Sequence, residues 1–334
     1  MAQSLKPGAP TPWQRLVGML RNERTTINYI FIYALLNGAI GLSLPLGVTA
    51  IFNMLSNGAM FSSTYILIGV VLIGVVIGGL LLIAQLTLVE AIEQKIFARA
   101  SVEFAYRLPR IKKKELEGTN PPELVNRFFD VITIQKGLGK LLIDIMAAVV
   151  QILFSAILLS FYHPVFIGFG MLTILVIGSL FLLYYREGVQ TSLEESAHKY
   201  ELVAYLEDVA GVLDEHRETE QNKAAVTRRT DHITAQYLRA RNSHFRVLRK
   251  FFAGSVVLRF LLMGSLLLLG AFFVVNRQMT LGQFVAAEVI IVQISYAVEK
   301  FLTSLDTIFD MVTGSEKLAA VTDLDLEEKE ANHD

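Results

Sequence analysis

Apolar residues run through this chain in six long stretches, near residues 26 to 55, 64 to 90, 136 to 162, 164 to 185, 251 to 275 and 280 to 300. Each reaches the roughly 20 residues that an α-helix needs to cross a bilayer, and few charges interrupt them. Six membrane-spanning helices are predicted. The first stretch follows a polar leader, residues 1 to 25, and far exceeds the roughly 7 to 15 apolar residues of a signal-peptide core. It is expected to be a permanent anchor.

The helical pattern continues beyond the membrane. From Thr64 to Leu108 no proline or turn cluster breaks it, and the helix it implies is about 65 Å long, twice the hydrocarbon thickness. The return helix has a start signal in GTNPPELVNRF, where Thr119 or Asn120 can cap, the prolines suit a first turn and Glu123 suits the positive dipole end. Before the fifth stretch Val226, Ile233, Tyr237, His244 and Leu248 recur at spacings of seven, four, seven and four, the spacing of helices packed in a bundle. In the leader, TPWQRLVGMLRNE offers Thr11 as a cap, Pro12 at the first helical position and Trp13, Leu16, Val17 and Leu20 on one face. With arginines opposite, this helix is expected to lie in the membrane interface.

Composition supports a membrane protein: 53% of residues are hydrophobic and only 18% charged. The absence of cysteine excludes disulfides, thiolate zinc sites, Fe–S clusters and thiol chemistry. The net charge of -1 matters less than its distribution. Lysine and arginine crowd the leader (Lys6, Arg15, Arg21, Arg24), the segment from Lys95 to Lys140 and the segment from Lys199 to Lys250, while the alternate connections carry only Arg277. The positive-inside rule then places both termini and both long connections in the cytoplasm. The expected fold class is all-α: a polytopic membrane protein of six transmembrane helices with long cytoplasmic helical extensions.

Catalytic and metal motifs are missing. The sequence has no HExxH pair and no GxSxG elbow, and its six histidines fall at no metal-ligand spacing. It has no GxxxxGK[ST] phosphate loop: Gly139-Lys140 lacks the upstream glycine and the following hydroxyl. No enzyme activity, cofactor, metal site or nucleic-acid partner is expected of this chain. His163, before Pro164, reads as a turn residue. Within the spans, Pro45 is expected to kink the first, Gly74 and Gly78 form a GxxxG in the second, and Arg259 is set level with Glu299 as a structural ion pair. Glu288 has no basic residue at matching depth.

Four segments carry a family resemblance: SLPLGVTAIFNML, LPRIKKKELEGTNPPELVNRFFDVITIQ, YHPVFIGFG and MTLGQFVAAEVIIVQISYAVEKFLTSLDTIFDMVTGSEKLAAVTD. With six spans and two overlong cytoplasmic hairpins, the chain resembles the transmembrane domain of an ATP-binding-cassette (ABC) exporter, the six-span half-transporter type that includes peptide and haemolysin-type secretion exporters. The resemblance implies a leader at 1–25, the transmembrane domain at 26–310 with tips near 108–121 and 206–221, and a stalk with an acidic tail at 311–334, without an ATPase domain. It implies a homodimer embedded in lipid, in a bacterial inner membrane. ATP and Mg are expected only in a separate ABC ATPase subunit. The sixth helices of such dimers help line the central cavity, which makes Glu288, Gln293, Asn37 and Asn53 candidates for the substrate pathway. For Glu288 a protonated carboxyl bonded to a neighbouring helix is an equal alternative.

The coupling tips would be Glu115 and Leu116 in the first connection and Leu213, Asp214 and Glu215 in the second. The second departs from the family, because an acidic run follows Leu213 where an apolar or basic plug is usual. Two functions follow. One is the membrane half of a split exporter, moving substrate by alternating access and driven by a separately encoded ATPase. The other is an ATPase-free, transporter-derived accessory or binding subunit of a secretion or envelope complex.

Overall fold

The computed structural model describes residues 11–56, 62–116, 121–217 and 219–327. The start signal at Thr119 and Asn120, the connection at 57–61 and the acidic end at 328–334 lie outside the described residues. Among those described the fold is all-α. Helix α1 (Pro12–Leu20) leads through a 3-10 turn into the first span, α2 (Arg24–Gly41) and α3 (Ser43–Ser56). The second span and its extension form α4 (Ser62–Arg107). The return begins as α5 (Pro121–Asn126) and α6 (Phe129–Gly139), passes through a π-helical turn at Lys140–Ile145 and becomes α7 (Met146–Tyr162). Then follow α8 (Ile167–Gly211), the short α9 (Leu213–Arg217), α10 (Glu220–Val275) and α11 (Leu281–Thr322). Six of the resulting helical segments are long and apolar enough to cross a membrane.

Local chemistry sets several of these boundaries. Thr11 and Gln14 form a reciprocal capping box with Pro12 at the first turn of α1, and Thr280 with Gln283 does the same for α11. Pro45 has no N–H to give Gly41, and the first span breaks at Leu42 between α2 and α3. His163 is extended, as a residue before proline must be. Its ring accepts from the Val165 N–H and stacks on Phe273.

Helices α4, α8 and α10 each run 45 residues or more, so their charged halves continue well below the apolar ones. In the membrane part of α4, Ile66, Ile73, Val76, Leu80 and Ile83 are exposed on several sides, which suits a helix bathed in lipid. Lipid is as apolar as a leucine side chain, so contact there depends on close fit. The GxxxG pair serves such a contact within the chain: Gly74 faces Ser43 and Gly78 faces Asn37.

Two apolar clusters meet along α11. One gathers α7, α8 and α10 around Phe251, Leu258, Ile291 and Phe309. The other gathers α1, α4 and α6 around Leu16, Ile92, Ile134 and Met311. Helix α1 turns much of its apolar face to protein: Leu16 is buried, Trp13 bonds to the Tyr185 hydroxyl, and Arg15 pairs with Asp323 at 2.7 Å. Val17 stays exposed. Glu23, also buried, accepts from Lys95 and Arg99 of α4. Past α11 the chain folds back, and Leu326 forms an antiparallel bridge with Ile111 beside the first tip.

Candidate functional site

Helix α11 is covered by α10, α7, α6 and α3, and one stripe of it stays open. Leu281, Glu288, Val292, Tyr296, Glu299, Thr303 and Asp310 are exposed. Their spacings of seven, four, four, three, four and seven place them on one helical face. Opposite lie Ala286, Ala287, Ile290, Ile291 and Ile294, each fully buried. Glu288 stands on the open stripe, with no hydrogen bond or ion pair among the described residues.

The other pathway candidates sit differently. Gln293 turns into the bundle, where its carbonyl accepts from Gln151 of α7 at 3.2 Å, while Gln151 also donates to Ser155. Asn37 lies against Gly78, and Asn53 against Gly282. The structure therefore gathers no common pocket from the four. Gln293, Asn37 and Asn53 join neighbouring helices, and Glu288 alone faces outward.

At the end of the apolar segment remote from Leu281, adjacent residues of α11 reach opposite ways. Glu299 pairs with Arg259 of α10 at 3.7 Å, as expected from their matched depth, and Lys300 pairs with Asp144 at 3.0 Å. Asp144 belongs to the π-turn that precedes α7. Arg259 and Glu299 are half exposed, so their pair contributes about 1 kcal/mol or less.

Below the membrane the same helix enters a polar core. His244 of α10 is fully buried, with one ring nitrogen 2.9 Å from the Thr191 hydroxyl of α8 and the other 3.3 Å from the Asp306 carboxylate of α11. This hydrogen bond, against the opposing effect of burial, holds the Asp306 carboxyl below its ordinary range. Arg241 donates to both oxygens of Glu195. Asp130 of α6 is buried and accepts from the Tyr200 hydroxyl, and burial raises its carboxyl despite that bond. A cavity of about 70 Å³, lined in part by Asp130, Ser192, Glu195, Lys199, Asp310 and Thr313, opens between these helices. Removal from water, then the nearby Asp306 and Glu195, push the Asp310 carboxyl up to about 6, although one side of it faces solvent.

This core ties the α8–α10 hairpin to α6 and α11. Among the described residues no group of acids and histidines has metal-binding geometry. In the sequence His244 stands only as one position in an apolar repeat. The available signal was Asp306, Asp310 and Thr313, three polar residues at helical spacing in the lower part of α11.

The two tips differ. Glu115 and Leu116 end a 3-10 turn, Lys113–Leu116, and Leu116 packs on the lower cluster. Leu213 and Asp214 of α9 are exposed, and Asp214 lies 3.9 Å from Arg217. The Glu215 side chain lies outside the described residues.

A family model described as the ABC transporter transmembrane region matches residues 27–210, more than half of the 334. The chain belongs to that family. No curated protein matches it. This ABC transmembrane chain is matched from α2 to the end of α8, so the family model covers both arms of the hairpin whose tip lies near 108–121 and the first arm of the next. The open stripe of α11 lies beyond the matched segment.

Proposed function

We propose that this chain is the membrane-spanning subunit of an ABC exporter, working as a homodimer in a bacterial inner membrane with both termini in the cytoplasm. Substrate moves by alternating access along a path bordered by the open stripe of α11. ATP and Mg are handled by a separately encoded ATPase, which docks on the tips around Glu115, Leu116, Leu213, Asp214 and Glu215. The observation that carries the reading is the continuity of α11. One rigid helix presents Glu288 in the membrane and, below it, shares the buried His244–Asp306 contact with the hairpin that bears the second tip. Displacement of that tip therefore has a packed route to the pathway.

Two measurements test this. Purification from native membranes in mild detergent should recover an ABC ATPase with the chain, and mass photometry in native-lipid particles should show two copies. A monomer contradicts the dimeric path. Recovery of no ATPase favours the accessory-subunit reading, for which the exposed, acidic Asp214 tip speaks.

A further inference from the structure

The open stripe has a chemical character of its own. Glu288 lies about 10 Å along α11 from its outer end at Leu281. The basic residues within the six apolar stretches, Lys136, Lys140, Arg259 and Lys300, all lie toward the cytoplasmic ends. A second copy related by an axis along the membrane normal brings residues of equal depth together, so it offers Glu288 no basic partner either. Among the described residues the fold does not use this carboxylate, and the polar groups Gln151, Gln293, Thr49 and Tyr162 bond to one another or to their own helices. A charge on a lipid-facing surface at this depth costs about 3 kcal/mol, a cost avoided where water or a polar ligand meets it. Two turns below, Tyr296 is 69% exposed, with no hydrogen bond among the described residues, and Val292 lies between them.

An unpaired carboxylate and an open aromatic ring about 12 Å apart on one apolar helix face match an elongated organic cation. The carboxylate attracts the positive charge and low-dielectric walls strengthen that attraction, while the ring, two turns away, packs on the aromatic or apolar body of the molecule, a contact of about 1 kcal/mol. An anion would meet the same field as repulsion. We propose that Glu288 is the charge-recognising residue of the pathway and that the substrate carries an ammonium, guanidinium or similar organic cation, with Tyr296 as its aromatic platform. This rests on the exporter reading, which makes the stripe part of a path.

The test uses the purified chain in lipid nanodiscs, with whatever ATPase co-purifies. Binding of tetraphenylphosphonium and of tetraphenylborate is measured by equilibrium dialysis against empty nanodiscs. Saturable binding of the cation above the anion is expected. Glu288→Gln should weaken it about tenfold, Glu288→Asp should retain most of it, and Tyr296→Leu should weaken it about threefold, the sizes of one charge contact and one aromatic contact. Unchanged size-exclusion profiles and thermal midpoints show that the variants fold. Equal affinity in Glu288→Gln, a preference for the anion, or no saturable cation binding overturns the inference. Recovery of an ATPase without cation preference defeats only this assignment. Cation binding that follows Glu288 with no ATPase recovered defeats the ATP-driven reading instead.

Discussion

Gly188 of α8 occupies a place where a methyl group has no room. A Cβ there would stand 2.5 Å from the ring of Phe309, which is itself fully buried among Tyr185, His244 and Phe251. Gly188→Ala should cost about 1 to 3 kcal/mol by overpacking and lower the thermal midpoint, and adding Phe309→Leu should return part of it. No loss in the single variant would contradict the close contact of α8 with α11. Asp310 provides a pH test. Its folded value near 6 lies above its ordinary 3.8, so its contribution is complete below about pH 4 and is lost as pH rises through 6. Asp310→Asn should therefore match the parent at pH 4 and exceed it in thermal stability at pH 8. The reverse order would remove the crowding by Asp306 and Glu195. These partners were not legible in the sequence, since helical spacing shows which residues share a face of one helix and says nothing of the helix opposite. His244 and Asp306 lie 62 positions apart.

Whole elements were more legible. The apolar periods of 64 to 90 and the uninterrupted pattern beyond them are realised in the single helix α4, and Pro45 breaks the first span as its missing N–H requires. The π-turn at Lys140–Ile145 left no such trace: nothing in the sequence spacing marks it, and its Asp144 pairs with Lys300 of another helix. The amphipathic pattern of α1 showed an apolar face without showing what would cover it. Lipid and protein bury leucine alike, and here Leu16 packs into the lower cluster while Arg15 reaches Asp323 at the end of α11. The chain has no native cysteine, so cysteines introduced at Arg15 and Asp323 should be joined by a short bifunctional reagent without background. Failure to join, with both positions reactive toward a single-headed reagent, would free α1 from this contact.

At the scale of the molecule, the apolar stretches of the membrane and the charged, apolar-striped extensions below it form one continuous object held along α11. That helix passes from the open stripe, through the ion pairs of Glu299 and Lys300, into the polar core around His244, and its far end meets α1. Six spans and the extensions were readable because length and period follow from the solvent each segment meets. The acidic second tip was also readable, and it bears on the central claim that a separate ATPase drives this chain. If the ATPase docks there, its receiving cleft is basic, and contact depends on Asp214 and Glu215 and weakens with salt. The direct measurement is co-purification of the ATPase with the parent chain and with the Asp214→Lys, Glu215→Lys double variant, the fold being checked by thermal unfolding, since exposed tip residues contribute little to stability. The account predicts an ATPase that follows the parent chain, washes off with salt and is absent from the folded double variant, whereas equal recovery with both chains would contradict docking at this tip and recovery with neither would contradict an ATP-driven exporter.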